Sequence, residues 1–172
     1  MKWFTSMMVA LCLIGIVAGT TGCDITVDQM KVIAQNAGLF SAVGWVAVDN
    51  PSDEVKEGVV KVLDTIEDKV GDVQGGATYA EVLYPEAEKI IDKELEAQYR
   101  PIAKAAVATL LGGLDMLFAA HPEWKDKQDD AAQISDAFIV GAKRGLEMAK
   151  DDPVMVEAMN VQARRARIYK PE

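Results

Sequence analysis

The chain has 172 residues, of which 50% are hydrophobic and 26% charged, and this composition indicates one folded domain and excludes a disordered chain. Its formal net charge is −9, so a nucleic-acid partner is disfavoured, because acidic side chains repel phosphates. Aromatic residues make up only 6% of the chain, whereas Ala, Val, Leu and Met are plentiful, a mixture that suits close-packed helices.

The first 24 residues have the pattern of an export signal. Lys2 gives a positive start, residues 3–19 are almost all apolar or small, and a run of small residues ends at Cys23. With Gly22 directly before Cys23, the segment resembles a bacterial lipoprotein signal. The resemblance implies a signal peptide at residues 1–22, acyl chains such as palmitate on Cys23, and one mature domain at residues 23–172.

The residue after the cysteine bears on localisation. Asp24 at this position resembles the lipoproteins that enteric-type bacteria hold at the inner membrane, which implies the periplasmic or extracytoplasmic face in a Gram-negative host. The alternative is an uncleaved transmembrane helix from Trp3 to Gly19. Its 17 residues are just enough to cross a bilayer, for which the lower limit is ~17 residues. In either case the rest of the chain is tethered to a membrane.

The remaining sequence predicts an all-α fold, a compact array of five or six helices. Apolar residues recur at steps of three and four, and no segment alternates with the period of a strand. The first helix is predicted at residues 24–48, with Phe40 on its buried stripe. Its second half is apolar nearly all round, so we expect it to be the most buried helix. Asn50 is predicted to cap the start of the second helix, with Pro51 at its first position.

The third and fourth helices carry breaker residues. Thr78 and Glu81 have the spacing of a capping box, but Pro85 follows after one turn, which predicts a short turn and then a helix to Tyr99. The fourth helix is predicted at residues 102–120, with Ile102 buried and a Gly112–Gly113 pair that needs a packing reason.

The C-terminal third predicts two more helices. One starts at Asp129 or Asp130 and carries Gly141 and Gly145 one turn apart, which leaves a groove for a partner helix. The last starts at Asp152 and has a basic end: Arg164, Arg165, Arg167 and Lys170. These cations either complement the negative end of the helix dipole or contact the membrane or an acidic partner.

Residues with catalytic chemistry are sparse. His121 is the only histidine, and the sequence has no recurring zinc spacing, no nucleophile motif and no phosphate-binding loop, so we expect no metal, no cofactor and no enzymatic activity. Asp115 is the one acid within an apolar helix. It lies either at the wet edge of that helix or in a functional buried site.

These patterns favour a membrane-tethered envelope lipoprotein that acts as a non-enzymatic protein-binding or structural module, from a bacterium or a phage, with an unidentified protein partner. One alternative is a phage-type membrane-lesion or superinfection-exclusion protein with an uncleaved N-terminal transmembrane helix, and residues 105–120 as a second span. Another is a periplasmic hydrolase that uses scattered carboxylates.

The anchor can be tested directly. Cys23→Ser should abolish incorporation of labelled fatty acid, because only the thiol accepts the lipid. Cys12→Ser should incorporate it normally, since Cys12 lies inside the apolar stretch. Label that persists in the Cys23→Ser protein would refute the lipoprotein interpretation.

Overall fold

The part of the chain described by the computed structural model, residues 25–73, 77–125 and 127–151, consists of α-helices joined by short loops. They are α1 (Val27–Asp49), α2 (Asp53–Glu67), α3 (Tyr79–Glu94), α4 (Arg100–Ala120), α5 (Pro122–Lys125) and α6 (Gln128–Asp151), with a 3₁₀ turn at Val70–Asp72. No strand occurs in these residues, and the all-α prediction is confirmed. The signal segment, Cys23, Asp24 and the helix predicted from Asp152 lie outside them.

A close backbone contact joins the first long helix to the last helix of the described residues. A Cβ added to Gly145 would lie 2.6 Å from the carbonyl oxygen of Leu39, and one added to Gly141 would clash with the carbonyl oxygen of Gln35. Gly38 opposes the backbone of α6 in the same way. The predicted groove at Gly141 and Gly145 is therefore real, and α1 fills it. Gly145 follows Gly141 by four residues, and its partner Leu39 follows Gln35 by four residues. The two helices therefore advance in the same direction, and α1 and α6 run parallel.

Ion pairs show that α2 runs antiparallel to α6. Lys143 contacts Asp64 and Glu67, and two turns further along α6 Lys150 contacts Glu57 near the start of α2. Burial acts to lower the pKa of the Lys143 amine, but hydrogen bonds to Glu67 and Asp64 outweigh it and raise the pKa. Because the folded-state pKa is raised, this contribution to stability is present at neutral pH and is lost only as the pH rises through that pKa.

The long helices α3 and α4 also run in opposite directions. Lys104 near the start of α4 contacts Asp92 near the end of α3, and Asp115 near the end of α4 contacts Tyr79 at the start of α3, so these two helices are antiparallel. Leu95, just after α3, packs against Gly58 near the start of α2. The starts of α1, α3 and α6 and the ends of α2 and α4 therefore share one end of the bundle, called the near pole. The opposite end is the far pole.

The boundary between α1 and α2 differs from the prediction. Asn50 ends α1 in the left-handed conformation, with φ 44° and ψ 55°, and its N–H donates to the Val46 carbonyl. Ser52 is the N-cap of α2. The prediction that Asn50 caps the second helix was wrong, because asparagine also tolerates the left-handed region that ends a helix.

The predicted break at Pro85 is also absent. The α3 helix runs through Pro85 from Tyr79 to Glu94, and Thr78 and Glu81 form the predicted capping box at its start. Pro85 is exposed and removes one backbone hydrogen bond. The buried face of α3 continues on both sides of it and offsets that loss. The helix ends earlier than predicted, and Tyr99 is the N-cap of α4.

Two residues predicted to be buried lie on the surface. Phe40 on α1 is 41% exposed and Ile102 on α4 is 39% exposed.

The two glycines of the α4 pair have different surroundings. A Cβ on Gly113 would lie 3.3 Å from Ser41 and from Phe138, whereas one on Gly112 would meet nothing within 4 Å. Only Gly113 therefore has a packing reason.

Two glycines in helix interiors provide a matched test of the α1–α6 contact. Gly141→Ala should destabilise the protein by roughly 1–3 kcal/mol, because the new methyl group meets the backbone of α1. Gly112→Ala should stabilise it by roughly 0.5–1 kcal/mol, because alanine is the better helix former and the site is open. Urea denaturation of both variants measures this, and equal midpoints would contradict the packing of α1 on α6.

Candidate functional site

The predicted lipid site adjoins a well-defined start of the fold. The Thr26 hydroxyl accepts a hydrogen bond from the Gln29 N–H at 3.3 Å, and the Gln29 side chain accepts one from the Thr26 N–H at 2.9 Å. This capping box begins α1 three residues after Cys23. Three residues span at most about 10 Å, so an anchor at Cys23 would hold the near pole close to the membrane.

The predicted basic contact belongs to the opposite end of the chain. Arg164, Arg165, Arg167 and Lys170 lie outside the described residues, as do Cys23 and Asp24. The described chain ends at Asp151, the last residue of α6, at the far pole. Because α6 has 24 residues, Asp151 lies about 36 Å from the near pole, at ~1.5 Å per residue.

Asp115 has a role that neither predicted alternative described. Its carboxylate accepts hydrogen bonds from the backbone N–H groups of Tyr79 at 2.6 Å and of Ala80 at 3.0 Å. These N–H groups belong to the first turn of α3 and have no partner within their own helix. The half-buried carboxylate therefore caps a neighbouring helix and interacts favourably with the positive end of its dipole.

A buried polar pair lies behind this cap. The Tyr79 ring stacks on Phe118 with centroids 5.2 Å apart, and its hydroxyl is hydrogen-bonded to Ser135. Burial raises the pKa of the Tyr79 phenol, although the Ser135 hydrogen bond acts in the opposite direction, so the phenol is neutral at physiological pH. The Ser135 hydroxyl also donates to the Ala131 carbonyl at 2.7 Å. The arrangement joins α3, α4 and α6 and supplies no activated nucleophile.

The start of α6 and the single histidine, His121, lie at the near pole. A surface depression of about 340 Å³ is lined by four consecutive residues, Lys127 to Asp130, at the start of α6. The His121 Nδ1 lies 3.3 Å from a Glu123 carboxylate oxygen. Within the described residues, no group of three or more His, Cys, Asp or Glu side chains is placed to hold a metal ion.

Two buried tryptophans were not singled out from the sequence. The indole N–H groups of Trp45 and Trp124 are buried and have no hydrogen-bond acceptor among the described residues. The Lys127 ammonium lies 4.6 Å from the ring centroid of Trp124, a cation–π contact across the turn before α6.

Among the described helices, two are long and apolar enough to cross a membrane, α1 and α4. In each of them, 44% of the most apolar window is buried within the fold. Their length and composition weakly favour membrane association, and both also serve as core helices. Comparison of the chain with protein-family models, curated proteins and solved structures finds no match.

The cap on α3 leads to a prediction about stability. Asp115→Ala should destabilise the protein by roughly 1–3 kcal/mol, because two N–H groups lose a charged acceptor. Asp136→Ala, which removes an exposed carboxylate from α6, should change stability by less than about 0.5 kcal/mol. Thermal denaturation of the two variants makes the comparison. If both melt with the wild type, Asp115 does not cap α3.

Proposed function

We propose that the chain is a membrane-tethered envelope lipoprotein. Residues 1–22 are removed, Cys23 carries the acyl chains, and the helical bundle acts as a non-enzymatic protein-binding or structural module. It works on the extracytoplasmic face of a membrane, the inner membrane in a Gram-negative host, where Asp24 retains it.

The start of α1 carries this proposal. A complete capping box begins the folded domain three residues after Cys23, so the expected cleavage site and the start of the fold nearly coincide. A tether this short leaves about 10 Å between the acyl chains and the near pole. Two or more acyl chains anchor stably, whereas a single chain gives only marginal binding.

The placement of the carboxylates supports a binding or structural role. Glu57, Asp64 and Glu67 pair with lysines of α6, and Glu88 and Asp92 pair with Lys104 of α4. Asp115 caps α3. These acids join helices to one another, whereas a hydrolase needs two carboxylates that converge on a bound substrate.

The membrane-lesion or exclusion protein is the second candidate, supported by the length and hydropathy of α4. In that case residues 105–120 would cross the bilayer. The backbone N–H groups of Tyr79 and Ala80 would then lose the Asp115 carboxylate, and a charged residue would enter the hydrocarbon at a cost of several kcal/mol. This cost makes the tethered bundle the preferred proposal.

Purified mature protein and fractionated membranes separate the two candidates. We expect a mass that lacks residues 1–22 and includes acyl chains, together with recovery in the inner membrane of an enteric-type host. The Asp24→Ser protein, which should be acylated equally, should leave that fraction. A wild-type mass equal to the full unmodified chain would favour the uncleaved transmembrane helix. Recovery of acylated wild-type protein in the outer membrane would refute only the sorting role of Asp24.

A further inference from the structure

The α1 helix occupies a corner of the bundle. It packs against α6 through Gly38 and against α4 through Ser41, which lies opposite Gly113. Each residue turns a helix by ~100°, so the positions half a turn away from these contacts point outward. Asn36 lies at the centre of that outward side and is exposed. Toward the near pole, one side of α1 therefore has no packing partner among the described residues.

This side of α1, called the α1 face, is exposed and uncharged over about three turns. It is formed by residues that share one side of the helix: Gln29, Val32, Ile33, Asn36 and Phe40. Val32 is 58% exposed and Phe40 is 41% exposed. The face ends toward the far pole, where Val43 and Ala47 are buried. From Gln29 to Phe40 it is about 17 Å long, at ~1.5 Å per residue.

Charge favours a second copy of the chain as the occupant of this face. The formal net charge of the chain is −9, so two copies repel one another over most of their surfaces. No charged residue occurs between Lys31 and Asp49. Because like charges that face each other across an interface oppose binding, an uncharged face is where two such acidic proteins can meet.

A membrane tether determines how two copies can face each other. Under the tethering proposed above, each copy would have its near pole at the same membrane. Two copies related by a two-fold axis normal to that membrane have parallel α1 helices. Equivalent residues of the two helices then lie opposite each other, as in a parallel coiled coil.

Asn36 has the chemistry that this parallel arrangement requires. A carboxamide both donates and accepts hydrogen bonds, so it can pair with its own copy across a two-fold axis. In parallel coiled coils, an asparagine at one core position sets the alignment of the two helices. Val32 and Phe40 lie four residues before and after Asn36 and supply apolar contacts. A bilayer is a poorer occupant, because the amides of Asn36 and Gln29 would have no partners in hydrocarbon.

The size of the α1 face explains why the tether matters. A face about 17 Å long on a helix about 10 Å wide is well below the ~800 Å² that each partner buries in a standard interface. Two copies held in one membrane have a raised effective concentration, which allows such a weak contact to form. We therefore expect the two copies to associate in the membrane.

We propose that two tethered copies of this chain pair through the α1 face, with parallel α1 helices and Asn36 of one copy beside Asn36 of the other. The partner of the proposed binding module is then a second copy. Pairing rests on the proposed tether, which either an acylated Cys23 or an uncleaved N-terminal helix would supply.

Disulfide formation in intact membranes tests the pairing in the full chain carrying Cys12→Ser. Asn36→Cys should give a disulfide-linked dimer on mild oxidation, because the two thiols meet at the axis and cysteine keeps the face uncharged. Thr65→Cys, at an exposed position of α2, is the matched control, and we expect at least ten times less dimer from it. Equal yields would overturn the proposal, and so would a disulfide between Asn36→Cys and a different protein in place of the dimer.

A charge placed at the axis gives a second measurement. Val32→Cys should be linked to the same position of a second copy by a short bismaleimide. Adding Asn36→Asp should lower this yield at least ten-fold, because two carboxylates would then meet in the contact. Adding Thr65→Asp, which introduces the same charge on α2, should leave the yield unchanged. A yield that Asn36→Asp does not alter would refute pairing at the α1 face.

The parent protein with Cys12→Ser alone distinguishes a failed pairing from a failed lipid anchor. An acylated Cys23 has no free thiol, so the parent should not react with maleimide. Labelling of Cys23 would refute the acylation and leave the pairing to be judged from disulfides mapped to position 36 by mass spectrometry. An unlabelled parent together with equal dimer yields from Asn36→Cys and Thr65→Cys would refute the pairing alone.

Discussion

The backbone contact between α1 and α6 is the constraint on which the rest of the fold depends. At Gly38, Gly141 and Gly145 the two helices approach so closely that even a methyl group would meet main-chain atoms. Small residues allow the close approach, and the gain is a long apolar interface with many van der Waals contacts. Because about 100 residues separate the two helices, closing this contact costs about 4 kcal/mol of chain entropy. The helices in between must therefore contribute much of the core that makes the contact favourable.

The parallel arrangement of α1 and α6 decides where the two ends of the chain lie. Five long helices alternate in direction, so the described chain begins at the near pole and ends at the far pole. A lipid on Cys23 would hold one pole against the membrane. The far pole would then project about 36 Å into the surrounding compartment.

Local patterns in the sequence predicted most of the helices but not their partners. The capping box at Thr78 and the groove at Gly141 follow from spacing within one helix, and spacing is visible in the sequence. The bond from Asp115 to the start of α3 joins residues about 36 positions apart, and no local pattern records it. Pro85 was misjudged because the continuous buried face of α3 outweighs the local preference of proline.

The hydropathy of α4 has two separate causes in this fold. One face is buried against the core through Leu110, Leu114 and Leu117, each no more than 1% exposed, and that face alone would give an ordinary amphipathic helix. The opposite face is also uncharged, and the two faces together raise the helix to the hydropathy of a membrane span; this face includes Ile102, Ala105, Thr109 and Gly112. Asp115 lies at the boundary between them, where the first turn of α3 satisfies its charge. A helix that crossed the bilayer would have to bury that charge without this partner.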